Sequence, residues 1–157
     1  WETNKTGEDG LGIYGQRLAA NGTKVGSEFQ INTYETSDQI EPKVAGLTGG
    51  GFVAIWNSKE QDNSPGNTQD WGVYGQLYDA SGNKSGSEFR VNSTTVNEQR
   101  YAEITSLKNG GFVVSWTADS QDGSLSGIYS QVLDANGEKV GSEIQVNTTT
   151  ENNQFYS

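Results

Sequence analysis

The sequence contains neither cysteine nor histidine. Without cysteine there is no disulfide framework and no thiolate metal site. Without histidine there is no Ser-His-Asp triad, no common general base and no usual zinc ligand. Positive charge is scarce: 10 Lys and Arg stand against 20 Asp and Glu, a net charge of −10. That balance disfavours nucleic acid, which needs clustered cations facing phosphates. It suits hard cations such as calcium, which take carboxylate and carbonyl oxygens. No apolar run approaches the roughly 18 residues of a transmembrane segment, and no signal-peptide pattern is visible. The lack of cysteine fits a secreted chain and a cytosolic one equally.

Hydrophobic residues are also few, at 31%, which together with the net charge points toward disorder. The aromatics point the other way. Four Trp, seven Tyr and five Phe in 157 residues suffice for a thin aromatic core, as between small sheets packed face to face. The length fits one domain.

What is abundant is repetition. GSEFQIN (26–32), GSEFRVN (86–92) and GSEIQVN (141–147) align, as do GIYGQ (12–16), GVYGQ (72–76) and GIYSQ (127–131). GGFVAIW (50–56) and GGFVVSW (110–116) align with each other, and Trp1 falls at the position of their final Trp. Gln39, Gln99 and Gln154 keep the same register. Four blocks in one register define a repeat, with copies at approximately 1–38, 39–98 and 99–157, the first and last incomplete. The second copy carries a turn-rich insertion, NSKEQDNSPGNTQD (57–70).

Each copy reads as four short strands. GSEFQIN alternates apolar and polar residues, the period of a half-buried strand. GIYGQRL has apolar residues on both faces, and its internal glycine marks a bulge or a close backbone approach. AANGTKV, DASGNKS and DANGEKV between these strands are tight hairpins in which Asn-Gly or Ser-Gly supplies positive φ. Asp79 and Asp134 are placed to accept turn amides. PKVAGL with GGFVAIW, and AEITSL with GGFVVSW, form the other hairpins. No segment has a capped helical period. The expectation is an all-β fold, β-propeller-like, of about three four-stranded antiparallel blades; a β-sandwich or stacked sheets is the alternative. Three blades are too few to close the usual ring of four to eight, so copies associate or the chain is part of something longer.

The repeat resembles kelch propeller blades, with Gly-Gly before an apolar strand and Tyr78-Asp79 closing the third. It resembles more closely the GxYGQ…DAxGxxVGxEFxVN…GGFVxxW repeats of large secreted bacterial proteins that also carry RTX-type calcium-binding repeats. That likeness spans nearly all residues and implies an extracellular, multi-copy, adhesin-like module. The RTX nonapeptide GGxGxD is absent, so calcium does not carry over with the resemblance.

The loops after each Trp are rich in short carboxylates: Asp9, Asp62, Asp70, Asp119 and Asp122. They are candidate calcium ligands, with turn stabilisation as the competing role. Tyr14, Tyr74 and Tyr129, beside Trp1, Trp56 and Trp116, are candidate saccharide platforms made multivalent by repetition, or packing between blades. Trp71 has no aromatic counterpart in the other copies and is a candidate contact residue. Gln16, Gln76 and Gln131 are expected to bond between neighbouring blades. Glu28, Glu88 and Glu143 recur identically, which reads as an exposed strand face, since a catalytic carboxylate pair needs two unequal environments.

The function expected from these features is non-enzymatic: an extracellular repeat module for structure, adhesion or binding of a saccharide or protein surface, with Ca2+ as a possible cofactor. The alternative is a segment or subunit of a larger assembly, with a carbohydrate-active enzyme a distant third. A homo-oligomer or a longer chain is expected, because Trp1 sits where a repeat is half complete. The hairpin that would precede it then lies in further chain or comes from a neighbour.

Overall fold

The computed structural model describes residues 1–5, 9–62 and 70–155. Half of the turn-rich insertion expected in the second repeat, residues 63–69, lies outside the described residues, as do residues 6–8 of the first post-Trp loop.

The described residues form strands and turns without a helix, and so none long and apolar enough to cross a membrane. The first repeat supplies β1 (Glu2–Thr3), β2 (Gly12–Leu18) and β3 (Lys24–Gln30). The second supplies β4 (Gln39–Gly46), β5 (Phe52–Lys59), β6 (Trp71–Tyr78) and β7 (Lys84–Arg90). The third supplies β8 (Gln99–Ser106), β9 (Phe112–Asp119), β10 (Ser126–Leu133) and β11 (Lys139–Gln145). Each repeat is its own antiparallel sheet with strands in chain order: one of three strands and two of four. The described sheets do not close into a ring, and their arrangement fits the stacked-sheet alternative.

Local chemistry explains the hairpins. Gly22, Gly82 and Gly137 sit at φ +82, +85 and +81 in the turns between the last two strands of each sheet. Asp134 Oδ1 accepts the Asn136 and Glu138 amides at 2.8 and 2.9 Å, and Asp79 Oδ1 accepts the Asn83 amide at 2.8 Å. The Asn83 side chain and amide hold the Asp79 carboxyl below its usual range, and the Glu138 and Asn136 amides do the same for Asp134.

The internal glycine sits at a bulge that recurs with Ser130 in the third sheet, and what it specifically permits is a close approach. The ladders shift register between Gly15 and Arg17 and between Gly75 and Leu77, the mark of a bulge. A Cβ on Gly75 would stand 2.8 Å from the Phe89 ring opposite. The third repeat has Ser130 there, facing Ile144 instead of a ring. The glutamine at each bulge also belongs to its own sheet. Gln76 Nε2 donates to the Leu77 and Gly86 carbonyls at 3.0 and 3.2 Å, and Gln16 and Gln131 repeat the pattern. The bonds expected between blades are therefore bonds across a bulge.

The first strand of each complete sheet starts earlier than PKVAGL and AEITSL suggest, at Gln39 and Gln99. Glu41 and Tyr101 take left-handed backbone angles, φ 56 and 57, and the ladder skips there.

Stacking buries two cores. Ile13 and Ile31 meet Ala54, Trp56, Tyr74 and Tyr78 between the first and second sheets. Val53, Ile55, Val73, Leu77 and Val91 meet Phe112, Val114, Trp116, Tyr129 and Leu133 between the second and third. β5 and β6 are thus apolar on both faces because a sheet covers each. Trp56 and Trp116 are fully buried, and complete burial of a large apolar side chain contributes roughly 1.5–3 kcal/mol.

Candidate functional site

The polar residues that recur most strictly converge on the seams between sheets. Asn32, Asn92 and Asn147 follow the last strand of each sheet. Their Oδ1 atoms accept the backbone amides of Ile13, Val73 and Ile128 at 2.7, 2.8 and 2.7 Å. Their Nδ2 atoms donate to the carbonyls of Tyr34, Thr94 and Thr149 and to the side-chain oxygens of Gln39, Gln99 and Gln154. Each glutamine then donates to two carbonyls of the connecting turn; those of Gln99 are Val96 and Asn97. One carbonyl in each pair belongs to a left-handed residue: Ser37, Asn97 or Asn152, at φ 61, 63 and 66. Gln39 and Gln99 open the next sheet, so at the first two seams the asparagine–glutamine pair ties one sheet to the following one. Asn32, Asn92, Gln39 and Gln99 are buried, where every polar atom needs a partner.

Glu88 and Glu143 cross the same seams in the other direction. Glu88 accepts the Thr33 amide and hydroxyl at 2.8 and 2.9 Å. Glu143 accepts the Ser93 amide at 2.7 Å. Gln61 and Gln121 donate to these two carboxylates. Glu28, at the same repeat position, pairs with Lys5. The strand alternation that made these glutamates read as a solvent face is correct, but that face reaches a neighbouring repeat.

The candidate metal residues are scattered through these seams and loops. The Asp62 side chain is fully buried. It accepts the Tyr74 hydroxyl at 2.6 Å and Asn92 Nδ2 at 2.9 Å. Burial, then that bond to Asp62, pushes the Tyr74 hydroxyl well above its usual range. A Cβ on Gly72 would fall 2.6 Å from Asp62 Oδ2, so a larger residue there would displace that carboxylate. Asp122, at the same repeat position as Asp62, accepts the Ser124 amide and Gln145 Nε2 at 3.0 and 2.8 Å. Asp119 accepts the Ser126 hydroxyl at 2.6 Å. Asp70 is buried, and Asp9 is exposed beside Thr36. Among the described residues no three Asp or Glu side chains form a group able to hold a metal ion.

The candidate aromatic platforms lie inside the stack. Tyr14, Tyr74 and Tyr129 are 5%, 7% and 6% exposed. Lys5 Nζ lies 3.5 Å from the centre of the Tyr14 ring. Trp71 is 8% exposed, with the Arg100 guanidinium 4.5 Å from its ring centre. It occupies the repeat position of Leu11 and Ser126, at a seam, where the residue after Gln99 covers it.

One feature lay outside the residue types singled out from the sequence. A groove of about 460 Å³ opens between the first and second sheets. Tyr14–Leu18, Phe29 and Ile31 line one side, and Pro42–Val44, Phe52 and Ala54 the other, with Trp1 at one end. The counterparts of Trp1 and Leu18 in the other repeats are buried core residues, and Ile104, the counterpart of Val44, packs against the core.

No known family model matches the chain, and no curated protein is similar to it.

Proposed function

We propose that this chain is a non-enzymatic structural segment of an extracellular repeat protein, built of blade-like sheets whose role is to stack on further sheets and hold a protein partner. The extracellular setting rests on the resemblance of its repeat to those of secreted bacterial proteins. The observation that carries the structural reading is the use made of the recurring polar residues. Asn92 and Gln99, Glu88 and the Thr33 amide, and their repeats are engaged in joining sheet to sheet, leaving no repeated carboxylate pair set apart for acid–base chemistry. Asp62 and Asp122 likewise serve hydrogen bonds to their own surroundings, which supports a structural role for these carboxylates.

A glycan array read with and without EDTA, alongside a screen for oligosaccharide hydrolysis, tests this reading. It expects neither retention nor turnover in either condition. Hydrolysis that disappears in Glu88→Gln, or glycan retention that EDTA abolishes, would overturn it.

A further inference from the structure

Asn-x-Ser/Thr, the acceptor pattern for N-linked sugar in secreted chains, occurs at Asn4, Asn21, Asn92 and Asn147. The fold treats the three that are described in full differently. Asn92 is fully buried, and its Nδ2 donates to Asp62, to the Thr94 carbonyl and to Gln99. Asn147 is partly buried, and its Nδ2 donates to the Thr149 carbonyl and to Gln154. Asn21 is exposed at the tip of the turn between β2 and β3, and its Nδ2 has no partner among the described residues.

A change within its own repeat frees Asn21. The equivalent turns of the three copies close with the same backbone bonds. The amides of Ala19, Asp79 and Asp134 donate to the carbonyls of Thr23, Asn83 and Glu138, and the amides of Gly22, Gly82 and Gly137 donate back. In the second and third copies the opening aspartate caps the turn: its Oδ1 accepts the Asn83 or Glu138 amide at 2.8 or 2.9 Å. Asp134 Oδ2 also takes Nδ2 of Asn136, the counterpart of Asn21, at 3.4 Å. The first copy has Ala19 there, which offers no acceptor. Asn21 Oδ1 takes over, accepting the Thr23 amide at 3.1 Å and the Thr23 hydroxyl at 2.8 Å. Its oxygen is thereby turned to the turn, and the nitrogen is left unpartnered. Residues 20–24 are all exposed, and nothing stands within 4 Å of a Cβ built on Gly22.

We propose that Asn21 is an acceptor for N-linked sugar, with Thr23 as its positioning residue. The donor is a glycosyl diphosphate delivered by a transferase. Nδ2 bonds to the anomeric carbon, the bond from that carbon to the phosphate oxygen breaks with its electron pair leaving on the phosphate, and an Nδ2 proton passes to a base of the transferase. An amide nitrogen is a weak nucleophile because its lone pair is shared with the carbonyl. As its proton leaves, negative charge develops on Oδ1, where the two Thr23 donors already sit, and hydrogen bonds to the charged form favour it. The rival reaction of an Asn-Gly pair, ring closure by the glycine nitrogen, is opposed because the Gly22 amide donates to the Ala19 carbonyl at 2.9 Å. A sugar on this turn stands at the opposite end of β3 from Asn32 and so leaves the asparagine–glutamine seams free. The inference goes beyond the structural reading above, which stands whatever its outcome.

The test incubates the folded chain with a soluble N-glycosyltransferase and uridine diphosphate glucose, with a short Asn-Gly-Thr peptide as the control for enzyme activity. Trypsin places the three asparagines on separate peptides, 18–24, 91–100 and 140–157, and mass spectrometry locates the sugar. One hexose is expected on the first peptide and none on the other two. Thr23→Val keeps the backbone amide and removes the hydroxyl, and is expected to abolish transfer. Ala19→Asp leaves the acceptor pattern intact and restores the cap of the other copies. It is expected to draw the Thr23 amide away from Asn21 and to slow transfer about fivefold, the weight of one hydrogen bond. An unmodified 18–24 peptide beside a labelled control, labelling of Asn147 equal to that of Asn21, or an unchanged rate in Ala19→Asp would overturn the proposal.

Discussion

Asn92 and Asn147 share three bonds in different surroundings, Asn92 adding a fourth to Asp62, which turns a pair of substitutions into an internal comparison. Asn92 is fully buried between the second and third sheets. Asn92→Ala leaves the Val73 amide without the acceptor it has at 2.8 Å and the Thr94 carbonyl without the donor it has at 2.8 Å. It also removes a donor from Gln99 and from Asp62. A buried group left without its partner costs about 1–3 kcal/mol, so losing the two backbone partners alone places the expected destabilisation at about 3 kcal/mol or more. Asn147 has equivalent bonds to Ile128, Thr149 and Gln154, but it is only partly buried. Water replaces the lost partners there, and Asn147→Ala is expected to cost about 1 kcal/mol. For a chain of this size 1 kcal/mol shifts Tm by roughly 2–4 °C. Circular dichroism melts and urea titrations of the two variants should therefore separate clearly, with Asn92→Ala the lower. Equal losses would refute the reasoning, because they would mean that burial at the seam adds nothing. Asn92→Asp is expected to destabilise as well: it keeps the acceptor for Val73 but sets a carboxylate against Asp62.

Two further outcomes follow from the packing and the turns. Gly75→Ser is expected to cost about 2 kcal/mol, an overpacking penalty against Phe89, and adding Phe89→Ile should recover part of it, since the third repeat combines Ser130 with Ile144; strict additivity in urea denaturation would contradict this. Asp134 has its folded pKa lowered from the ordinary 3.8, so its contribution is present above that value and lost as pH falls through the folded one; NMR titration should give a midpoint below 3.8, and Asp134→Asn should remove that part of the acid sensitivity.

Much of the sheet architecture is legible in the sequence because it is written in local terms. Alternation in GSEFRVN, the Asn-Gly and Ser-Gly turns and the double-sided GVYGQLY each depend on neighbours within a few residues, and β7, the hairpins and β6 lie where these signals put them. The early start of β4 was hidden because its kink is at Glu41, a residue type that does not advertise a left-handed angle. Long-range partners were hidden for a different reason. The period shows that Glu88 faces outward, but not that the Thr33 amide, 55 residues away, is there to meet it. The composition of the loops suggested a metal for Asp62; its neighbours in the fold are Tyr74, Asn92 and Arg90, which no local pattern connects to it. Trp71 looked like an isolated surface aromatic because its position in the repeat is filled by Leu11 and Ser126, and its cover, Arg100, comes from the next sheet. How one sheet sits on the next was the least legible feature: strand order within a sheet is local, and the contacts between sheets are not.

The bond that joins consecutive sheets can be measured on its own. Asn92 and Gln99 lie on different sheets and touch through one hydrogen bond of 3.2 Å, so urea denaturation of Asn92→Ala, Gln99→Ala and the double variant isolates their coupling. The account predicts a coupling of about 1 kcal/mol or more, the double variant being less destabilised than the sum of the singles. Additivity to within about 0.3 kcal/mol would contradict it, since the two sheets would then be held without the seam.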